Sequence, residues 1–433
     1  MHESGEVAFS VRQLTRVEGE GRLSLTVSGG EVTEAHLEIF EAPRYFERLV
    51  VGRTPDEVID IVARICGICP VAYQMSAVHA FEHLFDVSVD PGVRRLRRLF
   101  YCGEWIESHA LHVYLLHAPD FLGYPSAVEL AADHPEAVER GLRLKRLGNR
   151  IVAILGGRPI HPVSVRVGGF SRAPRRAELD ELRQALPAAI ADAQETVRWA
   201  ASLEPPAYER QSRLVSLRHP TEYPMNDGHI VSSDGLDIAP PDWPDAFAER
   251  QVPWSNALQA LAHDGSPYLL GPTARVALAG GTLHPLAAEA LAATGLGEEL
   301  TANVFRSIVA RAVELLHALA EAADIVDAYA EPGAHLATWE PRPGVAAWAT
   351  EAPRGLLFHR YEIGDNGLVS RAQIVPPTSQ NQAAIEHDLR QFAPSVLELP
   401  HAEATHRLEQ LIRSYDPCIS CATHFLDLRV ERA

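Results

Sequence analysis

Two Cys-x-x-Cys pairs at opposite ends of the sequence constrain the fold of this chain more than any other feature. Four of its five cysteines form the pairs, Cys66 with Cys69 and Cys418 with Cys421, while Cys102 stands alone. The pairs are 349 positions apart (418 minus 69), so only tertiary folding can unite them. Two thiolates three positions apart can bind one metal ion, and a nearby helix N-terminus favours their ionised form. We therefore expect distant parts of the chain to meet at a metal site.

Composition and charge argue against several classes of function. With 433 residues, 46% hydrophobic and 22% charged, the sequence is typical of a globular protein with a large core. The net charge of −18, without a long basic run, argues against nucleic acid as a partner. Five cysteines are too few for a disulfide scaffold. The first residues lack a signal-peptide pattern and no apolar stretch approaches 18 residues, so we expect a cytoplasmic protein without a membrane span.

The spacing of apolar residues predicts an α+β fold that is mainly α, with a core of long helices and small peripheral β-sheets. Residues 1–50 form a β-rich N-terminal segment with Gly29-Gly30 at a hairpin turn, and Thr54-Pro55 begins the first helix. The helical core covers 54–203 and 284–424. Within it, long helices are predicted over 91–117, 135–155, 176–203, 298–329 and 401–414.

Two further regions complete the predicted organisation. Residues 204–283 are rich in Pro, Gly and Asp and are expected to be irregular, with short strands. Residues 355–375 predict a hairpin around Asp365-Asn366-Gly367. Without repeats or low-complexity linkers, residues 1–433 are expected to form a single domain.

The spacing of the cysteines alone leaves the kind of metal site open. A structural zinc site with four cysteines, an iron–sulfur cluster and a rarer metal centre all remain possible at this point. A thioredoxin-like dithiol is less favoured, because neither pair lies in a clear βαβ unit.

The residues around the cysteines narrow the choice. The first pair lies in Arg64-Ile-Cys66-Gly-Ile-Cys69-Pro and the second in Asp416-Pro-Cys418-Ile-Ser-Cys421-Ala-Thr-His424. Together these segments resemble the two signature motifs of the large subunit of nickel–iron hydrogenases. Other segments are similar to that family as well: Thr15-Arg16-Val17-Glu18-Gly19, Arg44-Tyr45-Phe46-Glu47, Gly156-Gly157-Arg158-Pro159-Ile160-His161-Pro162, Glu351-Ala352-Pro353-Arg354-Gly355 and Pro377-Thr378-Ser379-Gln380-Asn381.

This resemblance implies a fold of the hydrogenase large-subunit type and a nickel–iron centre. All four thiolates, of Cys66, Cys69, Cys418 and Cys421, would bind nickel, and Cys69 and Cys421 would also bridge to an iron that carries CO and cyanide. The implied reaction is the reversible heterolytic oxidation of H₂ to protons and electrons. Soft thiolate ligands suit nickel in such a redox role.

The same resemblance assigns roles around the metals. Arg354 would project over the open metal position, where a guanidinium acts through its charge more readily than as a base. Glu18 would take a proton from Cys418. Thr378 would donate a hydrogen bond to a cyanide ligand, and Asp416 and Pro353 would shape the pocket.

A second metal site and a processed tail are also implied. Glu47, the backbone carbonyl of Ile374 and His424 match a magnesium-type site near the C-terminus. Residues 425–433 would then be a tail that a maturation protease removes after nickel insertion. Two positions depart from the common pattern: Glu20 and Tyr73 stand where many members have His.

The sequence lacks groups that could carry electrons away from the site, which implies partner subunits. Electrons must leave the site, but no further cysteine cluster or nucleotide-binding motif is present, so the resemblance implies an iron–sulfur small subunit. The segment from Cys66 to Gln74 is most similar to the cytoplasmic, NAD(P)-linked subgroup, which implies flavin- and NAD(P)-binding diaphorase subunits. Nickel-insertion proteins would load the site. Two rival interpretations remain: a non-catalytic scaffold subunit like that of complex I, which lacks the four cysteines, and a structural zinc protein.

Overall fold

The computed structural model describes residues 7–28 and 31–423, and it is 51% helical with small antiparallel sheets. The predicted class, α+β and mainly α, is therefore confirmed. Among the described residues no single helix is long and apolar enough to span a membrane; one bent pair, Pro272–Thr282 with Pro285–Thr294, meets that test by length and composition.

Long helices build the core of the molecule. The helices are α1 Phe46–Leu49, α2 Pro55–Val62, α3 Pro70–Phe85, α4 Pro91–Leu111, α5 Ala118–Leu122, α6 Ala127–Asp133, α7 Pro135–Gly156, α8 Arg176–Ser202, α9 Trp243–Ala246, α10 Pro272–Ala279, α11 Pro285–Thr294, α12 Glu299–Ala302, α13 Ser307–Asp327, α14 Pro377–Phe392, α15 His401–Ser414 and α16 Ile419–Ala422. Helix α4 packs against α7 and α13, and α13 also packs against α8. Helices α4 and α7 touch at Gly148, where a Cβ atom would lie 2.6 Å from the carbonyl oxygen of Gly103.

Small sheets surround this core. The strands are β1 Val7–Val11, β2 Gly21–Ser28, β3 Glu31–Ile39, β4 Val165–Arg166, β5 Gly169–Phe170, β6 Val215–Arg218, β7 His229–Ser232, β8 Asp237–Ile238, β9 Phe247–Arg250, β10 Gln259–Ala262, β11 Gly344–Ala352, β12 Gly355–Ile363 and β13 Val369–Val375. They pair antiparallel as β1-β2-β3, β4-β5, β6-β7-β8, β9-β10 and β11-β12-β13. The predicted hairpin at 355–375 is β12-β13, and Gly367 at its turn has φ 73°. The predicted turn at Gly29-Gly30 lies outside the described residues.

Several predicted elements differ from the structure. The predicted helix 298–329 is broken at Asn303, whose backbone is extended (φ −111°, ψ 111°) and whose side chain caps Phe305 N–H. The predicted helix 91–117 changes to a π-helical segment over His112–His117. Helix α1 lies within the predicted β-rich segment, and helix α10 within the predicted irregular one. Strand β11, rich in alanine and without strict alternation, was not predicted; pairing with β12 determines its conformation.

Element ends bring the chemically interesting residues together. Thr54 and Glu57 form a reciprocal cap at the start of α2, and that helix ends at Val62. The first cysteine pair lies in the loop between α2 and α3, directly before Pro70. The second pair follows the end of α15 at Ser414, so both pairs lie at helix termini rather than within long helices.

Candidate metal centre

The two cysteine pairs meet at one buried site. Their four sulfur atoms all lie within 4.8 Å of one another, and each cysteine is at most 3% exposed. Across the pairs, Cys66 Sγ lies 3.5 Å from Cys418 Sγ, and Cys69 Sγ lies 3.7 Å from Cys421 Sγ. Of the His, Cys, Asp and Glu side chains among the described residues, these four cysteines form the group that could hold a metal ion.

The electrostatics of this cluster fit a bound cation. Hydrogen bonds from Cys418 and the other thiols lower the pKa of Cys66, whereas burial and neighbouring thiols raise the pKa of Cys418 well above its usual value. Burial thus disfavours four thiolates in one site, and a bound metal cation would offset that cost. Four soft sulfur donors fit nickel and iron as well as they fit zinc.

Arg354 lies at a hairpin turn beside the cluster. Strands β11 and β12 pair up to Ala352 and Gly355, so Pro353 and Arg354 form a two-residue connection. The Arg354 guanidinium donates through Nε to the carbonyl of Asp416 (2.8 Å) and through Nη2 to its carboxylate (3.0 Å). Burial lowers the pKa of Arg354, but Asp416 and the cysteine thiolates outweigh it and hold the pKa well above its usual value. The side chain therefore stays charged.

One nitrogen of that guanidinium remains available. Arg354 Nη1 is buried and has no hydrogen-bond partner among the described residues. A buried cationic donor without a partner is costly unless something polar or anionic faces it. This orphaned donor, next to four thiols, fits a bound group with negative or acceptor character.

Glu18 contacts the second cysteine pair through both side chain and backbone. Cys418 Sγ lies 3.1 Å from Glu18 Oε2, and the same oxygen accepts the Ser420 N–H at 3.0 Å. The Ile419 N–H donates to the Glu18 carbonyl at 2.9 Å, which fixes the two segments side by side. The carboxylate is therefore placed to accept a proton from the Cys418 thiol.

Thr378 and Pro353 complete the immediate surroundings. Thr378, in the first turn of α14, accepts the Cys418 N–H through Oγ1 at 2.9 Å, so its own hydroxyl hydrogen can point elsewhere. The carbonyl of Pro353 accepts from Arg275 at 2.9 Å. Burial raises the pKa of Asp416, and the charges of Arg354 and Arg311 oppose this.

Glu47 and Ile374 lie together at a second location. The Ile374 N–H donates to Glu47 Oε1 at 2.7 Å. Burial and, next, the charge of Glu249 raise the pKa of Glu47 to about 8. Burial and the neighbouring Glu249 carboxylate both disfavour the charged form of Glu47. His424, the third predicted member of this site, lies outside the described residues, as do residues 425–433.

Comparison with known proteins agrees with this geometry. The family described as nickel-dependent hydrogenase matches residues 44–142 and 254–424, more than half of the chain.

The chain belongs to the nickel-dependent hydrogenase family.

Two curated relatives support this membership along the whole sequence. The alpha chain of sulfhydrogenase 2 from Pyrococcus furiosus is 34% identical over 96% of this chain and 98% of its own length. A chain of the F420-non-reducing hydrogenase of Methanothermobacter thermautotrophicus is 30% identical over 99% of this chain and 97% of its own length. The predicted recognition as a hydrogenase large subunit is confirmed.

Solved structures agree as well. An NAD+-reducing NiFe-hydrogenase in its H₂-reduced state superposes with a TM-score of 0.89 at 27% identity, covering 96% of this chain and 99% of that one. A NiFeSe hydrogenase from Desulfovibrio vulgaris Hildenborough shares the fold with a TM-score of 0.79 at 23% identity, covering 97% and 100%.

The structure adds residues to this hydrogenase site that the sequence did not single out. Arg44 donates its backbone N–H to Thr423 O at 2.6 Å, and its guanidinium bonds the carbonyls of Ile65 and Ser420, so it joins both cysteine segments. Its place in the Arg44–Glu47 motif was the available signal. Glu104 accepts two backbone N–H groups at the start of α3, those of Val71 (2.6 Å) and Ala72 (3.1 Å). No local sequence signal identifies Glu104, because its partners lie on another helix.

The two departures from the family pattern have different surroundings. Tyr73 is fully buried, and its hydroxyl has no hydrogen-bond partner among the described residues. Burial, followed by the charges of the four cysteines, raises the pKa of Tyr73, so the phenol stays neutral beside the centre. Glu20 is exposed, and its backbone N–H donates to Glu41. Only Tyr73 is thus placed to affect the hydrogenase site.

Proposed function

We propose that this chain is the catalytic large subunit of a cytoplasmic, NAD(P)-linked nickel–iron hydrogenase. The observation that carries the proposal is the single buried cluster of four cysteine sulfurs beside Arg354 and Glu18. Membership of the hydrogenase family supports the reaction class. The NAD+-reducing enzyme among the similar structures supports the proposed acceptor.

Each predicted ligand has a role in this proposal. Cys66, Cys69, Cys418 and Cys421 would hold the nickel, and Cys69 and Cys421 would also hold an iron with CO and cyanide ligands. When bound, this centre would supply the redox and Lewis-acid chemistry that splits H₂ heterolytically. The orphaned nitrogen of Arg354 would face it.

The protein's own groups would manage charge and protons. Arg354, held in its charged state by Asp416, would stabilise negative charge that develops at the cluster. Glu18 would accept a proton from Cys418, across the 3.1 Å between their sulfur and oxygen atoms. Ser420 would hold the receiving carboxylate in place through its N–H, while its hydroxyl bonds Glu41 at 3.0 Å. Thr378 would anchor Cys418 and donate to cyanide, and Pro353 and Asp416 would shape the pocket.

A second, magnesium-type site would lie near the C-terminal end of the core. Glu47, the carbonyl of Ile374 and His424 would be its ligands. Burial and the charge of Glu249 raise the pKa of Glu47, and a bound divalent cation would lower it by stabilising the ionised carboxylate. We propose further that residues 425–433 are removed by a maturation protease, and that the preceding residues act as one domain.

Electron exit requires a partner, and the surface near the first cysteine pair suits one. Gly67, between Cys66 and Cys69, is exposed, and a Cβ placed on it would lie 3.8 Å from Ile160. Ile160 is 53% exposed and Val163 is 39% exposed, so two apolar side chains of the segment beside Gly67 lie on this surface. The relatives are themselves named as subunits of hydrogenases. An iron–sulfur small subunit would cover this surface, and diaphorase subunits would connect it to NAD(P).

Metal analysis and infrared spectroscopy of the purified protein test the proposal. We expect nickel and iron together, with infrared bands from CO and cyanide. Zinc alone would support the structural zinc protein instead, and no metal would support the scaffold interpretation. Cys418→Ser should abolish H₂ oxidation, because it removes both a metal ligand and the proton donor to Glu18. Retained activity in that variant would refute the assignment.

A further inference from the structure

A buried arginine outside the metal centre uses every one of its hydrogen-bond donors. Arg275 lies in the first half of α10 and is fully buried. Its Nε and Nη2 donate to the Glu314 carboxylate, both at 2.7 Å, and its Nη1 donates to Glu351 Oε2 at 2.8 Å. The two remaining N–H groups donate to the carbonyls of Ala352 and Pro353, both at 2.9 Å. All five donors of the guanidinium are therefore satisfied.

The two carbonyls belong to the turn that carries Arg354. Ala352 ends β11 and Pro353 is the first residue of the two-residue connection. The neighbouring contacts restrain the same turn: Trp105 Nε1 donates to Glu351 O at 3.3 Å, and the Leu217 N–H donates to Glu351 Oε1 at 2.8 Å. The Arg275 guanidinium in turn lies over the Trp105 ring, 4.4 Å from its centroid. The carbonyls of the three residues before Arg354 thus all have buried partners.

A purely stabilising ion pair would not need this arrangement. Buried ion pairs contribute little net stability after desolvation, and the two carboxylates occupy only three of the five donors. The planar guanidinium instead connects two carboxylates with two consecutive carbonyls in a fixed geometry. A lysine, with three donors at one point, cannot reproduce that geometry.

We propose that Arg275 is a positioning residue that sets where the guanidinium of Arg354 lies relative to the cysteine cluster. The inference rests on the proposed function, because it requires that Arg354 acts on a bound nickel–iron centre. The hydrogen bonds of Arg275 reach neither the cysteines nor the side chain of Arg354; Arg275 acts through the backbone of the turn. A shift of about 1 Å in a group that acts on a reacting centre can cost on the order of 100-fold in rate.

Arg275→Lys in the assembled enzyme tests this role, with Arg97→Lys as the matched control. Arg97 is also buried and forms a bidentate pair with Glu82 (2.7 and 2.6 Å). Both of these hydrogen bonds go to Glu82 and neither involves residues 351–354. We expect R275K to retain nickel and iron, to lower kcat by about 10- to 100-fold with little change in KM for H₂, and to shift the CO and cyanide bands. We expect R97K to keep the wild-type bands and kcat.

The outcomes separate the inference from the proposed function. Wild-type bands and kcat in R275K, or equal losses in R275K and R97K, would overturn the positioning role. Absence of nickel–iron bands from the wild-type enzyme would instead overturn the proposed function. If R275K fails to fold, the double variant Arg275→Gln with Glu314→Gln removes one positive and one negative buried charge together. Shifted bands in a folded double variant support the role, and unchanged bands contradict it.

Discussion

Asp120 joins two distant segments that lead into the metal centre. Its side chain is fully buried in α5 and accepts from Arg413 Nε at 2.7 Å and Arg413 Nη2 at 2.8 Å. It also accepts a hydrogen bond from Arg16, two residues before Glu18. Arg413 further donates to the carbonyl of Thr15 at 2.9 Å. The substitution Asp120→Asn keeps the size of the side chain but removes the charge that both guanidinium groups face.

The expected loss follows from burial. Arg413 is 1% exposed and Arg16 is 11% exposed, so water cannot replace the missing carboxylate. Breaking a buried ion pair by removing one partner costs about 3–5 kcal/mol. Burial raises the pKa of Asp120, but Arg413 and then Arg16 outweigh it and hold the pKa below its usual value. The contribution is therefore present at neutral pH, and it is lost as the pH falls below the ordinary value of about 3.9 through the lowered value in the folded protein.

Hydrogen–deuterium exchange measures this loss locally, which suits a large metalloprotein better than a single unfolding temperature. In peptides covering 12–20 and 404–416, Asp120→Asn should speed amide exchange by about 100-fold or more. The loss of about 3–5 kcal/mol gives this factor, because each roughly 1.4 kcal/mol changes the local opening equilibrium tenfold. Asp327→Asn is the control, because Asp327 and Arg183 are 62% and 56% exposed and such pairs contribute about 0–1 kcal/mol. An effect of Asp120→Asn below tenfold, or no larger than that of the control, would refute the reasoning.

Two further predictions concern single side chains. Glu18→Gln should leave the nickel and iron content unchanged but slow the exchange of D₂ with solvent protons by about 100-fold or more, because an amide cannot accept the Cys418 proton. Mass spectrometry of the gas measures this exchange, and exchange at the wild-type rate would contradict the role of Glu18. Cys102→Ala should keep metal content and activity, because Cys102 lies away from the other four cysteines and burial raises its pKa, which leaves the thiol unreactive. The packing lost with the sulfur atom should cost about 1 kcal/mol of stability. Loss of nickel from this variant, or alkylation of Cys102 in the native protein, would count against this prediction.

Features with a local cause were predictable from the sequence. Thr54-Pro55 caps α2, and Asp365-Asn366-Gly367 turns between β12 and β13, because both depend on neighbouring residues alone. The long helices 135–155 and 176–203 are close to α7 and α8 because their apolar periodicity persists over several turns. The meeting of the two cysteine pairs required the flanking motifs as well as the spacing.

Features that depend on distant partners could not be predicted. Asn303 lies within apolar helical periodicity, yet its side chain caps the next residues and divides the predicted helix into two pieces. Strand β11 consists largely of residues with low strand preference, and its antiparallel partner β12 determines it. Glu104 gives no local sign that it will accept the first N–H groups of α3, 33 and 32 positions away.

Within the site as well, some residues were predictable from local sequence and others depend on distant partners, and this difference has a physical reason. Most groups expected to act on the metals lie at or next to the end of an element: the cysteines near helix termini, Arg354 at a hairpin turn and Thr378 in the first turn of α14. Backbone donors and acceptors at such ends lack partners within their own element, so other parts of the chain must supply them. Arg275 and Glu104 do so from within helices, where sequence patterns indicate only structure. A motif therefore identifies the groups that react, whereas positioning residues such as Arg275 and Glu104 are recognised only once the fold is known.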